Sequence, residues 1–230
     1  MSAKRTVIRT TTGSLMRKAL AAVLLSSLAL LVSPAPAFAH AELESSSPRN
    51  GSQLTATPKN ITLTFGEDIA LTAAQILDQS GNEIPAEAAA SGSRLKFIPK
   101  QPLPNGRYAV GWRLTSADGH VLAGAISFTV NIANLPGKAT SLVLKPAGAA
   151  RVSASLVGAR TITFASKAKS GEVLLTNAAL PGPITWRITG NGKLAKASGV
   201  IPFAGTWNIE VSLFAGALDF VVAKGTHTFR

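Results

Sequence analysis

Three histidines, His40, His120 and His227, are the only soft or borderline metal donors beyond residue 39 of this chain. It has no cysteine, and its two methionines, Met1 and Met16, both lie before that point. His40 stands apart because it follows Ala37-Phe38-Ala39, small residues of the kind a signal peptidase cuts after. Cleavage there makes His40 the first residue, and its free α-amine and own Nδ1 can then close a six-membered chelate on one metal ion. A further imidazole from His120 gives three nitrogens in a plane, a set that suits tetragonal Cu(II). Asp118 and Glu67 are the acidic candidates, each either a weak axial oxygen ligand or an acceptor that orients an imidazole or the amine. Zn(II) prefers a tetrahedral set and competes, but the amine chelate favours copper. The amine binds only without its proton, and its ordinary pKa is about 7.7–8.0, so acid should weaken binding. His227, in Gly225-Thr226-His227-Thr228-Phe229, has no ligand-type neighbour and reads as a surface or edge-strand histidine.

The site therefore presupposes export. Residues 1–18 carry Lys4, Arg5, Arg9, Arg17 and Lys18 and no acid, and an apolar run follows from Ala19 to Val32. That run is shorter than the roughly 20 residues a membrane-spanning helix needs, and Ser33-Pro34-Ala35-Pro36 ends it. Residues 1–39 read as a cleaved signal peptide, and the mature chain, His40 to Arg230, as periplasmic, secreted or held in the cell envelope. With no cysteine, no disulfide supports it, and its cores must suffice.

Short alternating runs separated by turn residues predict an all-β protein. Ile61, Leu63 and Phe65 alternate with polar or small residues, as do Tyr108, Val110, Trp112 and Leu114. Leu122, Ile126, Phe128 and Val130 share one parity, with Gly124 between them. Turn signals fall at Ser47-Pro48-Arg49-Asn50-Gly51, Gln79-Ser80-Gly81-Asn82 and Leu103-Pro104-Asn105-Gly106. These features predict a β-sandwich or Greek-key barrel over 40–132, with Ala86 to Ala90 left as loop before Gly92. A linker is expected within 133–139, around Asn134-Leu135-Pro136-Gly137-Lys138. A second small β-sandwich is expected over 140–230, with strands at Arg151–Leu156, Thr161–Phe164, Glu172–Leu175, Ile184–Ile188 and Trp207–Leu213. Trp112, Trp186, Trp207 and Tyr108 read as core. Glu67 continues the row of Ile61, Leu63 and Phe65, and His120 that of Leu122, Ile126 and Phe128, with Asp118 across Gly119. Groups so placed gather at one mouth of the sandwich if the strand ends meet there. As ordinary end-of-strand polar residues they would carry no chemistry.

Charge divides the chain. Residues 40–134 hold seven Lys/Arg against eight Asp/Glu, and residues 135–230 hold eleven against three. The basic second half suits contact with an anionic envelope surface, or merely a solvated basic face. Nucleic acid is not an expected partner of an exported protein.

Five ordered stretches carry a resemblance. They are His40-Ala41-Glu42-Leu43, Ser47-Pro48-Arg49-Asn50-Gly51-Ser52, Leu63-Thr64-Phe65-Gly66-Glu67, Gly106-Arg107-Tyr108-Ala109-Val110-Gly111-Trp112-Arg113 and Ser116-Ala117-Asp118-Gly119-His120. Together, over about residues 40–131, they resemble the CopC family of periplasmic copper-binding proteins. The resemblance implies a seven-stranded, Ig-like or cupredoxin-like sandwich that binds Cu(II), and the proposed site predicts one Cu(II) per mature chain. It implies His40 and His120 as ligands with Asp118 beside them, and Glu67 at the family's acidic position. It also implies a CopD-like inner-membrane copper transporter as partner. The methionine-rich Cu(I) loop of some members is absent, which leaves a Cu(II)-only form. Ile201-Pro202-Phe203-Ala204-Gly205-Thr206-Trp207 is similar to the soluble C-terminal β-domain of proteins that fuse CopC to a CopD-like transporter, but no role follows from that.

The sequence thus favours a binding protein for copper homeostasis or resistance, with no catalytic step required. One alternative is a copper-brace oxidase or monooxygenase, whose chelate is the same. Against it, no aromatic platform for a polymer stands near the proposed site. Another is a wall-associated adhesion protein whose histidines are incidental.

Overall fold

The alternation of small, apolar and β-branched residues is realised as strands throughout. In a computed structural model, residues 42–131, 139–146, 154–157, 161–216 and 220–229 are described, and among them no helix occurs. The described residues belong to one compact unit.

The first part contains β1 (Leu43–Ser47), β2 (Gln53–Leu54), β3 (Ile61–Phe65), β4 (Ile69–Leu77), β5 (Ala86–Ser91), β6 (Arg94–Pro99), β7 (Gly106–Ser116) and β8 (Val121–Val130). One antiparallel sheet runs β1-β3-β6-β5. The other joins β4, β7 and β8, and β2 adds to β8 in parallel. Apart from the two-residue β2, this is the seven-stranded sandwich that the sequence resemblance implied. Its core interleaves the inward rows of both sheets: Ile61, Leu63, Phe65, Leu95 and Phe97 meet Ile76, Val110, Trp112, Leu114, Ile126 and Phe128. Phe65 and Trp112 meet edge to face across it, with ring centroids 5.8 Å apart.

The second part contains β9 (Ala139–Leu142), β10 (Lys145–Pro146), β11 (Ala154–Val157), β12 (Thr161–Phe164), β13 (Ser170–Thr176), β14 (Ile184–Gly190), β15 (Ala195–Ser198), β16 (Gly205–Phe214) and β17 (Phe220–Phe229). They pair in the order β10-β17-β16-β13-β14-β15-β12-β11-β9. A second core takes side chains from strands across this array, with Trp186 and Trp207 at its centre. In the Ile201–Trp207 stretch, Ile201, Pro202, Phe203 and Trp207 are buried. The Trp207 Nε1 proton goes to the carbonyl of Phe203 at 3.3 Å.

The two cores share a boundary. Leu77, Ala109 and Ala125, on β4, β7 and β8, belong to the second core, and Ile184 pairs with Ala125 in parallel. Side-chain hydrogen bonds cross the boundary: Asn50 Nδ2 donates to the Thr185 carbonyl at 2.8 Å, Gln75 Nε2 to Ala179 at 2.6 Å and Ser127 Oγ to Val200 at 2.7 Å. A Cβ on Gly182 would fall 2.3 Å from the backbone of Ala123 and Gly124, so only glycine admits this approach.

One sequence expectation is corrected. Residues 86–90 are not loop but most of β5, which pairs with β6 from Ala86↔Pro99 to Ser91↔Arg94. Ala86 and Ala88 pack on the first core. Gly92, at φ +55°, opens the hairpin turn between β5 and β6. The other strand expectations overlap observed strands, although residues 151–153 and the expected linker at 134–138 lie outside the described residues, as does the expected signal peptide.

Gly124 faces Trp112 across the β7–β8 ladder, and a Cβ there would come within 2.6 Å of the indole ring. Gly124→Ala is therefore expected to destabilise the fold by about 1–3 kcal/mol through overpacking, measurable as a lowered chemical-denaturation midpoint.

Candidate metal site at the β7–β8 turn

The β7–β8 ladder runs in register from Gly106↔Val130 to Thr115↔Val121 and is closed by the turn Ser116-Ala117-Asp118-Gly119-His120. Ser116 N–H donates to the His120 carbonyl at 2.9 Å, and Gly119 N–H to that of Ser116 at 2.9 Å. Gly119 holds φ +87°, a left-handed conformation that favours glycine. The turn is braced from within. The buried Ser116 hydroxyl donates to Asp118 Oδ1 and accepts from the His120 N–H at 3.1 Å. The same N–H also lies 3.2 Å from Asp118 Oδ1.

The other carboxylate oxygen, Oδ2, stands 2.7 Å from His120 Nδ1, with both side chains largely in solvent. A proton on Nδ1 directed at the carboxylate fixes the tautomer that carries its lone pair on Nε2. This is the arrangement in which a carboxylate orients an imidazole towards a metal. The hydrogen bond from Ser116, then those from the backbone and side chain of His120, hold the Asp118 carboxyl below its ordinary 3.8, at about 2. A depressed folded-state pKa adds stability that is complete above the ordinary value and fades as pH falls through about 2. The group is exposed, so the contribution is small.

Two backbone hydrogen bonds bring other segments to this turn. Ala117 N–H donates to the Asp68 carbonyl at 3.0 Å, and Gly66 N–H to that of Glu42 at 3.2 Å. Residues 42, 66–68 and 117–120 therefore meet at one end of the first core. Glu67 lies half-buried within that middle segment.

Of the sequence candidates, Asp118 and His120 are in contact. Glu67 is on the adjoining loop, and Glu67, Asp118 and His120 do not converge as a trio, since the described residues contain no metal-holding group of three His, Asp or Glu. His40 lies outside the described residues. His227 is half-buried on β17, edge to face with Phe229 at 4.7 Å, as a histidine of structural role would be. Sequence reasoning overlooked Ser116, the hub of the turn. Its signal was available: a serine two residues before an aspartate and four before a histidine favours side-chain-to-backbone closure.

Comparison with known proteins places residues 43–131 in a match to the CopC domain. Copper resistance protein C of Escherichia coli is 36% identical over 106 residues, which cover 41% of this chain and 83% of that protein. Copper transport protein CutJ of Bacillus subtilis is 28% identical over 132 residues, 54% of this chain and 24% of that one. Among solved structures, CopC from Methylosinus trichosporium OB3b matches with 30% identity and a TM-score of 0.38, covering 42% of this chain and 99% of that chain. PcoC from Escherichia coli, described as a methionine-rich copper resistance protein, matches with 35% identity and a TM-score of 0.35, covering 40% and 99%.

Ser116→Ala removes the first hydrogen bond that stabilises the Asp118 carboxylate. It is expected to raise the Asp118 pKa from about 2 towards the ordinary range, read from the carboxyl carbon shift in an NMR titration.

Proposed function

We propose, from the premise that the chain belongs to the CopC family, that its mature form is an extracytoplasmic Cu(II)-binding protein of copper homeostasis or resistance. The observation that carries this reading is the Asp118–His120 pair, 2.7 Å apart, on a turn stitched to residues 66–68. The stitching continues to Glu42, two residues after His40 in the sequence. Two residues span at most about 7 Å, so an amine-bearing His40 is within reach of the same end of the sandwich.

The donor chemistry fits a Cu(II) cargo. His40 would supply its α-amine and Nδ1, and His120 its Nε2. Asp118 would act through its hydrogen bond to His120 Nδ1 rather than as a ligand, and Glu67 would add negative charge at the rim. In this reading the second imidazole is that of His40; the other described histidine, His227, lies on β17 against Phe229. With no cysteine, and no methionine after Met16, soft donors for Cu(I) are lacking, in contrast to a relative described as methionine-rich. Nitrogen and oxygen donors in a square array favour Cu(II).

In this reading residues 1–39 are removed on export, residues 40–132 hold the copper, and residues 140–230 form a second β-domain. Copper is buffered or handed on, with no reaction catalysed. Similarity to a protein named for copper transport supports a CopD-like membrane transporter as recipient.

A mature chain beginning at His40 is expected to bind one Cu(II) with a nitrogen-rich type-2 electron paramagnetic resonance signal. One additional residue before His40 should weaken binding strongly and alter that signal, and unchanged affinity and spectrum would sink the proposal. Asp118→Asn, which keeps the shape but not the charge, should cost about 10–100-fold in affinity, measured by competition with a chelator of known strength.

A further inference from the structure

We propose that the pole of the second core farthest from the first is a docking surface for an anionic lipid bilayer, independent of the metal site. Residues 181–184 and 199–200 lie at the boundary between the cores, where Pro181, Gly182, Gly199 and Val200 make the close contacts. From Ile184, β14 runs six residues to Gly190, about 20 Å at the usual strand rise. The far end is assembled from adjacent turns. Lys169 N–H donates to the Phe214 carbonyl at 2.9 Å, Gly190 N–H to that of Lys169 at 3.0 Å, and Asn191 N–H to that of Leu194 at 3.1 Å.

At this end three large apolar side chains are in water: Leu194 is 50% exposed, Phe214 42% and Phe220 61%. Phe214 and Phe220 are cross-strand partners at the end of the β16–β17 hairpin, with ring centroids 6.5 Å apart. Exposed Lys167, Lys169 and Lys193 stand on the neighbouring turns. No acid occurs among the described residues of 164–170, 189–196, 212–216 and 220–222. Residues 217–219, which include Asp219, lie outside the described residues.

The combination selects the partner. A soluble polyanion would be held by the lysines alone and leaves two phenylalanines and a leucine unexplained. A bilayer surface uses both: the rings enter the boundary between headgroups and acyl chains, and the ammonium groups remain at the phosphates. Aromatic side chains of this size bury about 150–250 Å² each, and each lysine near an anionic surface adds roughly a fivefold gain in affinity.

The test is sedimentation of the full mature chain with vesicles of phosphatidylcholine alone or mixed with phosphatidylglycerol. Binding to the mixed vesicles, weakened by salt and absent with phosphatidylcholine alone, is expected. Phe214→Ser with Phe220→Ser should weaken it at least tenfold without changing copper content. Lys167→Glu with Lys169→Glu alters only exposed side chains, so the fold is kept, and should weaken it more than tenfold. Failure to bind anionic vesicles would overturn the proposal, as would binding that survives the lysine reversals. Equal capture by dextran sulfate, indifferent to the phenylalanine changes, would assign the pole to a soluble polyanion and overturn it likewise.

Discussion

The β7–β8 ladder is the constraint on which the rest of the molecule depends. In the middle of its ten paired positions, most large side chains face one core, and Ala109 and Ala125 face the other. Tyr108, Val110, Trp112 and Leu114 fill the first core, while Ala109, between them, belongs to the second. On β8, Ile126 and Phe128 point one way and Ala125 and Ser127 the other. A strand buried on both faces gives up the usual solvated side of an antiparallel sheet. Here the outward residues are small enough for another segment to approach, which is why Gly111 lies against the Pro181 ring and the backbone at Ala123 against Gly182.

The same ladder positions the chemistry. Its last pair, Thr115↔Val121, leaves five residues to close the hairpin, and those five contain both groups in contact at the candidate site. Ordered pairing over the length of two long strands fixes where the turn begins. Ser116, buried beneath it, then converts that fixed backbone into a fixed carboxylate, and the carboxylate orients the imidazole. Precision at an exposed loop is thus inherited from a buried scaffold, as expected where function sits on loops held by rigid elements.

How much was legible in the sequence follows from which physical signals are local. Alternation identified β3, β7, β8 and β16 because one face of each is strongly apolar. The motif order gave the first sandwich, and spacing across Gly119 put Asp118 and His120 at one strand end, with the role of Asp118 left open between weak axial ligand and orienting acceptor. What escaped was non-local. In the sequence Ala109 and Gly111 are only small residues between core positions, because a small residue covering a neighbour looks like a small residue facing water. β5 escaped for a related reason: alanine-rich segments carry little β signal, and only pairing with β6 decides their state. Glu67 shared a parity with the core row as expected, yet parity could not say that it would stop short of a trio with Asp118 and His120.

Because one ladder belongs to both cores, the two halves are thermodynamically linked, and loosening the strand pair exposes both interiors at once. A ligand that binds only the native turn lowers the free energy of the whole unit by RT ln(1 + [L]/Kd), about 2.7 kcal/mol at a hundredfold excess over Kd. The second core makes no contact with such a ligand through Trp186 or Trp207, yet it would share in that protection. Resistance of the C-terminal strands to proteolysis would then report occupancy at a turn in the other half of the chain.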